Sequence, residues 1–190
     1  MDGELESIRA ETSRLCFVGG AFAAGKSTLC LRLAQELPAH HVKASELVRF
    51  RRDPNDPTGK AVSEPIETQE GIIQALKARR RFGGTILLDG HYCLLDLKHS
   101  IVPVPVRVFR MIGPDALLLV DVEPQELVVR LDRRDGGRLD SGLARRLLDA
   151  ERRQSRVVAE ALGIPLVGVV GSDPLSDLAE RSRLILEARD

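Results

Sequence analysis

The sequence has no tryptophan, one tyrosine and five phenylalanines in 190 residues, so obvious stacking partners for a base are scarce. Its three cysteines, Cys16, Cys30 and Cys93, are odd in number, lack CxxC spacing and sit in or beside apolar runs. That pattern excludes a disulfide framework and a zinc site, and fits reduced packing residues in a reducing compartment. Neither sign of charge is in excess: 28 basic side chains balance 28 acidic ones. No bulk positive charge therefore advertises nucleic acid or an anionic membrane, and any anion site must be local. Long hydrophobic runs are missing too. The longest, ALLLV and LVGVV, end well short of the ~20 residues a bilayer span needs, and no charged segment with an apolar run behind it opens the sequence. A cytoplasmic protein with no membrane partner is expected. Asn55 is the only asparagine and no lysine follows it, which rules out a guanine-reading NKxD element.

With 43% hydrophobic and 29% charged residues, a chain of this length can bury most of its surface as one domain. Short apolar runs alternate with longer amphipathic segments. Strands are expected at Leu15 to Gly19, at HVKA (41–44), at Thr85 to Asp89, at Ala116 to Val120 and at Pro165 to Val169. Helices are expected from about Lys26 to Leu37, Glu67 to Arg81, Pro124 to about Leu131, Ser141 to Leu162 and Pro174 to Ala188. Continuous apolar strands joined by helices indicate a parallel sheet covered on both faces, an α/β fold of three layers. Two segments break the alternation: about 45–81, with Arg49, Arg51, Arg52 and a turn-rich DPNDPTG, and about 132–141. Both read as excursions from the sheet.

Gly20 to Thr28 reads GAFAAGKST, a full match to GxxxxGK[S/T] that follows an expected strand and opens an expected helix. Gly20 and Gly25 permit torsions and close approach denied to larger residues. Successive amides through Ala23 and Ala24 can then point at phosphate oxygens, with the helix dipole adding to the field. Lys26 would reach the β and γ phosphates, Ser27 would offer its hydroxyl to Mg²⁺, and Thr28 would assist with a phosphate. ATP and Mg²⁺ are the expected cofactors.

Asp89 ends a buried strand at the sheet edge where open α/β folds bind ligands. It can hold a metal-bound water or, for an alcohol acceptor, take the hydroxyl proton. A phosphate acceptor needs no base, and Asp89 would then act through the metal. The next residues are Gly90 and His91, so the adjacent glutamate that many ATP-hydrolysing motors use to polarise water is absent. His91 would orient Asp89 or touch a phosphate. Arg130, Arg133, Arg134 and Arg138 crowd a segment containing Gly136 and Gly137. Beside a phosphate loop, such guanidiniums can clamp the equatorial oxygens of a moving phosphoryl group, an effect of about 10³ to 10⁵ in rate. Arg134 and Arg138 are the candidates for that lid, Arg130 for the helix end, and Asp140 for pairing a guanidinium or capping the next helix.

GAFAAGKST, ASEL (44–47), GGTILLDGH and RLDRRDGGRLD together resemble the P-loop nucleoside monophosphate kinases, and within them the archaeal-type adenylate kinases and their eukaryotic nuclear relatives. The resemblance covers about residues 15 to 169. It implies a single P-loop kinase domain with a five-stranded parallel sheet, a core of about 15–44, 82–131 and 142–190, a nucleoside monophosphate (NMP)-binding region at about 45–81, and an arginine lid at about 132–141. It places Ser45, Glu46 and Arg49 beside the acceptor, His91 and Asp89 near Mg²⁺ and phosphate, and Arg134 and Arg138 over the donor. Ser-Glu stands where the family has Gly-Asp. The activity implied is transfer of the ATP γ-phosphate to an NMP. Two alternatives accompany it: a kinase for a small hydroxylated metabolite with Asp89 as base, and a nucleotide-dependent assembly factor with slow hydrolysis. A homo-oligomer is compatible with each.

Overall fold

The computed structural model describes residues 14–47, 76, 84–96, 100–135, 140–170, 177 and 180. Strand β1 (Leu15–Gly19) leads into helix α1 (Lys26–Glu36), followed by β2 (Ala39–Lys43) and the one-turn α2 (Ala44–Leu47). After it come β3 (Thr85–Asp89), the short strands β4 (Cys93–Leu95) and β5 (Ile101–Pro103), and α3 (Val106–Ile112). The chain continues through β6 (Ala116–Asp121), α4 (Pro124–Asp135), α5 (Ser141–Leu162) and β7 (Leu166–Val170).

Five strands form one sheet in the order β2-β3-β1-β6-β7, and every pairing in it is parallel. Alternation within each central strand explains why both faces are covered. Cys16, Val18, Leu87, Leu118 and Val120 join a cluster with Leu29, Cys30 and Leu33 of α1 and Leu127 and Leu131 of α4. Their neighbours Leu15, Phe17, Ile86, Leu88 and Leu117 join the opposite cluster with Phe109 and Ile112 of α3 and Val158 of α5. This is the three-layer α/β/α fold expected of the sequence. The strand at 39–43 begins two residues earlier than HVKA, because Ala39 already pairs with Thr85 in register and the Thr85 amide donates to the Pro38 carbonyl.

Helix ends follow local chemistry. Gly113 and Gly163 adopt left-handed torsions after α3 and α5, and their amides bond the carbonyls of Phe109 and Ala159. Asp140 caps α5, its Oδ1 accepting the Leu143 amide at 2.7 Å; of the two roles open to Asp140, the cap is the one formed. Helix α4 runs to Asp135 rather than to Leu131, so residues 132–135 of the expected lid are helical. The DRRD run contains no helix breaker, and the first glycines come only at 136 and 137. The antiparallel β4–β5 pair and α3 were not anticipated, since strands of three residues carry too little alternation to read. The expected helix at 67–81 lies outside the described residues except for Leu76, which is helical and packs in the second cluster. The terminal helix expected at 174–188 also lies outside them, apart from helical Asp177 and Glu180.

Candidate active site

The parallel pairing of β1 with β3 puts Asp89 opposite Val18, two residues before the glycine that opens the phosphate loop. Helix α1 then starts at the carboxyl edge of the sheet, with Lys26 and Ser27 in its first turn beside the end of β3. The Ser27 hydroxyl donates to Asp89 Oδ2 at 2.5 Å, within the range of a charge-assisted O–H···O⁻ bond. The candidate metal-binding pair is thus already in contact. Hydroxyl and carboxylate oxygens are hard donors, and a single such pair suits Mg²⁺, which keeps several waters and takes further oxygens from phosphates. Among the described residues no group of three or more His, Cys, Asp or Glu side chains could hold a metal ion by itself.

The loop has the backbone of an anion cradle. Gly20 has φ +150 and Gly25 φ +101, and Ala23 is left-handed at φ 60. A side chain on Gly20 would run into the carbonyl oxygen of Val120 in β6, so the loop closes against β6 only because that position is bare. Lys26 is 7% exposed and spans the loop, its Nζ donating to the carbonyls of Gly20 at 3.0 Å and Ala21 at 2.8 Å. Arg130 holds the loop from α4, bonding the carbonyls of Ala24 at 2.9 Å and Ala23 at 3.3 Å while pairing with Glu126. The Gly25 amide shares a trans peptide plane with the Ala24 carbonyl and so points away from Arg130, toward the loop's other side. Thr28 is exposed in the first turn of α1.

His91 lies under the loop rather than against Asp89. Its Nδ1 is 2.8 Å from the Gly20 carbonyl, 3.5 Å from Lys26 Nζ and 3.7 Å from Glu151 Oε1, and its ring packs on Phe22 with centroids 4.2 Å apart. The short contact to a carbonyl, which can only accept, assigns the Nδ1 proton. Burial, and next the charge of Lys26, lower the His91 pKa from its ordinary 6.5, so the ring is neutral at neutral pH.

Three contacts of the site were not read from the sequence. His41 of β2 places Nε2 3.3 Å from Asp89 Oδ2, with both side chains about nine-tenths buried. Glu151 of α5 is 1% exposed and accepts the amides of Tyr92 at 2.9 Å and Cys93 at 3.3 Å, fixing the turn that follows Asp89. Arg130 was expected at the helix end, and its bond to the loop was not. Glu151 alone left a signal, an acid on the apolar face that Leu147, Leu148 and Val158 define. Farther along, Arg152 clamps Asp121 at the end of β6 through Nε at 2.7 Å and the second nitrogen at 3.0 Å. None of the cysteines is poised as a nucleophile: burial pushes Cys16 and Cys93 up to about 12 and raises Cys30 as well.

The structure brings together Gly20, Ala23, Ala24, Gly25, Lys26, Ser27, Asp89 and His91. Ser45 is exposed in α2, and Glu46 follows it in the same helical turn. Arg133 is exposed and the Arg134 backbone is helical in the last turn of α4. Arg49 and Arg138 lie outside the described residues, as does most of the expected acceptor region at 45–81.

A family model described as AAA domain matches residues 19–146, from the end of β1 into α5. The chain belongs to this AAA domain family. In this AAA domain, the fold is similar to that of a sugar kinase from Janibacter sp., at 19% identity and a TM-score of 0.56, over 92% of this chain and 95% of that one. It is similar as well to a gluconokinase from Sinorhizobium meliloti, at 15% identity and a TM-score of 0.53, over 93% of each chain. At these identities the likeness is one of fold, the three-layer α/β/α architecture built on a parallel sheet. No curated protein matches the sequence.

Proposed function

We propose that this P-loop protein is an ATP- and Mg²⁺-dependent phosphotransferase whose acceptor is a hydroxyl group on a small metabolite. The observation that carries the reading is the placement of Asp89. Ser27 and His41 both engage Oδ2, which leaves Oδ1 to accept a proton from an alcohol. Both named fold neighbours are kinases, one of sugars and one a gluconokinase, and they favour a hydroxylated acceptor over the NMP that the sequence resemblance implies.

In this reading the loop amides and Lys26 hold the triphosphate. Ser27 and Asp89 would hold Mg²⁺, which would supply positive charge to offset that of the phosphates. The acceptor oxygen attacks the γ-phosphorus in line while the bond to the β,γ-bridging oxygen breaks. The hydroxyl proton passes to Asp89, and ADP leaves. Arg130 keeps the loop in shape, and Arg134 and Arg138 belong to a lid at about 132–141 that closes over the donor. Residues 45–81, with Ser45, Glu46 and Arg49, form the acceptor side of the single kinase domain. Among the described residues no helix is long and apolar enough to cross a membrane.

Incubation with ATP, Mg²⁺ and a panel of sugars, sugar acids, polyols, nucleosides and NMPs, with phosphorylated products identified by mass spectrometry, tests the reading. A phosphate ester formed on a hydroxyl is the expected product. Diphosphates formed only from NMPs would return the protein to the nucleotide-kinase reading. ADP formation that no acceptor accelerates would favour slow hydrolysis in an assembly factor.

A further inference from the structure

His41 carries no motif and lies on the edge strand β2, yet it reaches the carboxylate on which the proposed chemistry turns. In the parallel register His41 pairs with Leu87 and Lys43 with Asp89, so His41 stands one row behind Asp89 on the same face of the sheet. From there its Nε2 meets Asp89 Oδ2 at 3.3 Å, the oxygen that also accepts the Ser27 hydroxyl at 2.5 Å. The two side chains are 10% and 8% exposed, so water competes little for either. A carboxylate with one donor can still turn about its Cβ–Cγ bond. Two donors from different elements, β2 and α1, converging on one oxygen fix the plane of the group and with it the direction of the second oxygen.

We propose that His41 is a positioning residue for phosphoryl transfer: by donating an Nε2 proton to Asp89 Oδ2, it aims Oδ1 at the acceptor hydroxyl. The inference rests on the phosphotransferase reading, in which Asp89 is the proton acceptor. His41 touches neither nucleotide nor acceptor in this scheme, and its loss should lower turnover rather than binding. The ordinary alternative is a histidine that merely fills the space between the edge strand and α1. A packing role requires shape, whereas the positioning role requires a donor at the Nε2 site.

The experiment compares His41→Leu with His41→Gln, whose side-chain amide nitrogen can reach the position of Nε2. The expected result for His41→Leu is a fall in kcat on the order of 10- to 100-fold, the range typical of lost support for a site ligand. Acceptor KM and Mg²⁺-dependent ADP affinity measured by calorimetry should stay within about threefold, and His41→Gln should recover most of the turnover. Unchanged kcat in His41→Leu would overturn the proposal, as would a loss that His41→Gln does not relieve. A readout independent of turnover is the ¹⁵N spectrum of histidine-labelled protein, taken at a pH above the ordinary imidazole range. It should show His41 as the Nε2-protonated tautomer, with a signal that moves on Asp89→Ala. An Nδ1-protonated His41 that ignores Asp89→Ala overturns the positioning role by itself. If the wild type phosphorylates no hydroxylated acceptor, the function reading is what fails, and the spectrum still decides whether the His41 contact exists.

Discussion

Among the described residues the protein buries two carboxylates, Asp89 at the end of β3 and Glu151 in α5, and it treats them differently. Glu151 is sealed between α5 and the turn at Tyr92 and Cys93, with both oxygens occupied by backbone amides. Asp89 sits at the open edge of the sheet, and its partners are side chains, Ser27 and His41, gathered on a single oxygen. The buried Lys26 and the partly exposed Arg152 divide the same way. Arg152 is locked in a bidentate pair with Asp121, whereas Lys26 spends bonds on the carbonyls of Gly20 and Ala21, groups that a phosphate can replace as its partners. Partners that lock both ends of a group mark one that holds the fold together. Exchangeable partners at the carboxyl edge mark a group kept ready for a ligand.

Substitutions can break that contrast from either side. The largest effect is expected at Lys26: Lys26→Ala should lower phosphoryl transfer by about 10³-fold, the scale of losing one preorganised charge from a transition state. Its melting temperature should stay close to that of the wild type, because the desolvation cost of a buried ammonium offsets most of what its hydrogen bonds contribute. Steady-state kinetics beside calorimetric melting would check both halves. Gly20→Ala should abolish ATP binding to a similar degree in a titration, since the added methyl meets the Val120 carbonyl and the loop cannot close. Glu151→Leu should act in the opposite sense, costing about 3 kcal/mol in denaturant unfolding by stranding two buried amides. Glu151→Gln, whose carbonyl oxygen can still accept one amide, should cost clearly less. Asp140→Ala removes one helix cap and should cost about 1 kcal/mol in the same measurement, with ATP affinity unchanged.

How much could be read beforehand follows from how local each signal is. The β1–loop–α1 unit and the end of β3 were legible because strand, glycines, lysine and helix are contiguous from 15 to 36 and because TILLD is an uninterrupted apolar run ending in an acid. The contacts that complete the site join residues far apart in sequence: His41 with Asp89, Glu151 with Tyr92, and Arg130 with Ala24. No spacing rule connects such pairs, since only the strand order and the packing of α4 and α5 bring them together. His91 shows the same limit on a smaller scale. Its place two residues after Asp89 suggested a partner of that carboxylate, but the turn carries its ring beneath Gly20 instead. The β4–β5 pair and α3 escaped notice because each is short, and the last turn of α4 because four charged residues read as readily as loop.

The account stands or falls on whether the loop from Gly20 to Ser27 receives a triphosphate. Isothermal titration of the wild type and of Lys26→Ala with ATP, each with and without Mg²⁺, addresses that point directly. The expected result is Mg²⁺-enhanced binding at one site that Lys26→Ala abolishes. Absence of binding by the wild type, or equal affinity in the two proteins, would contradict it.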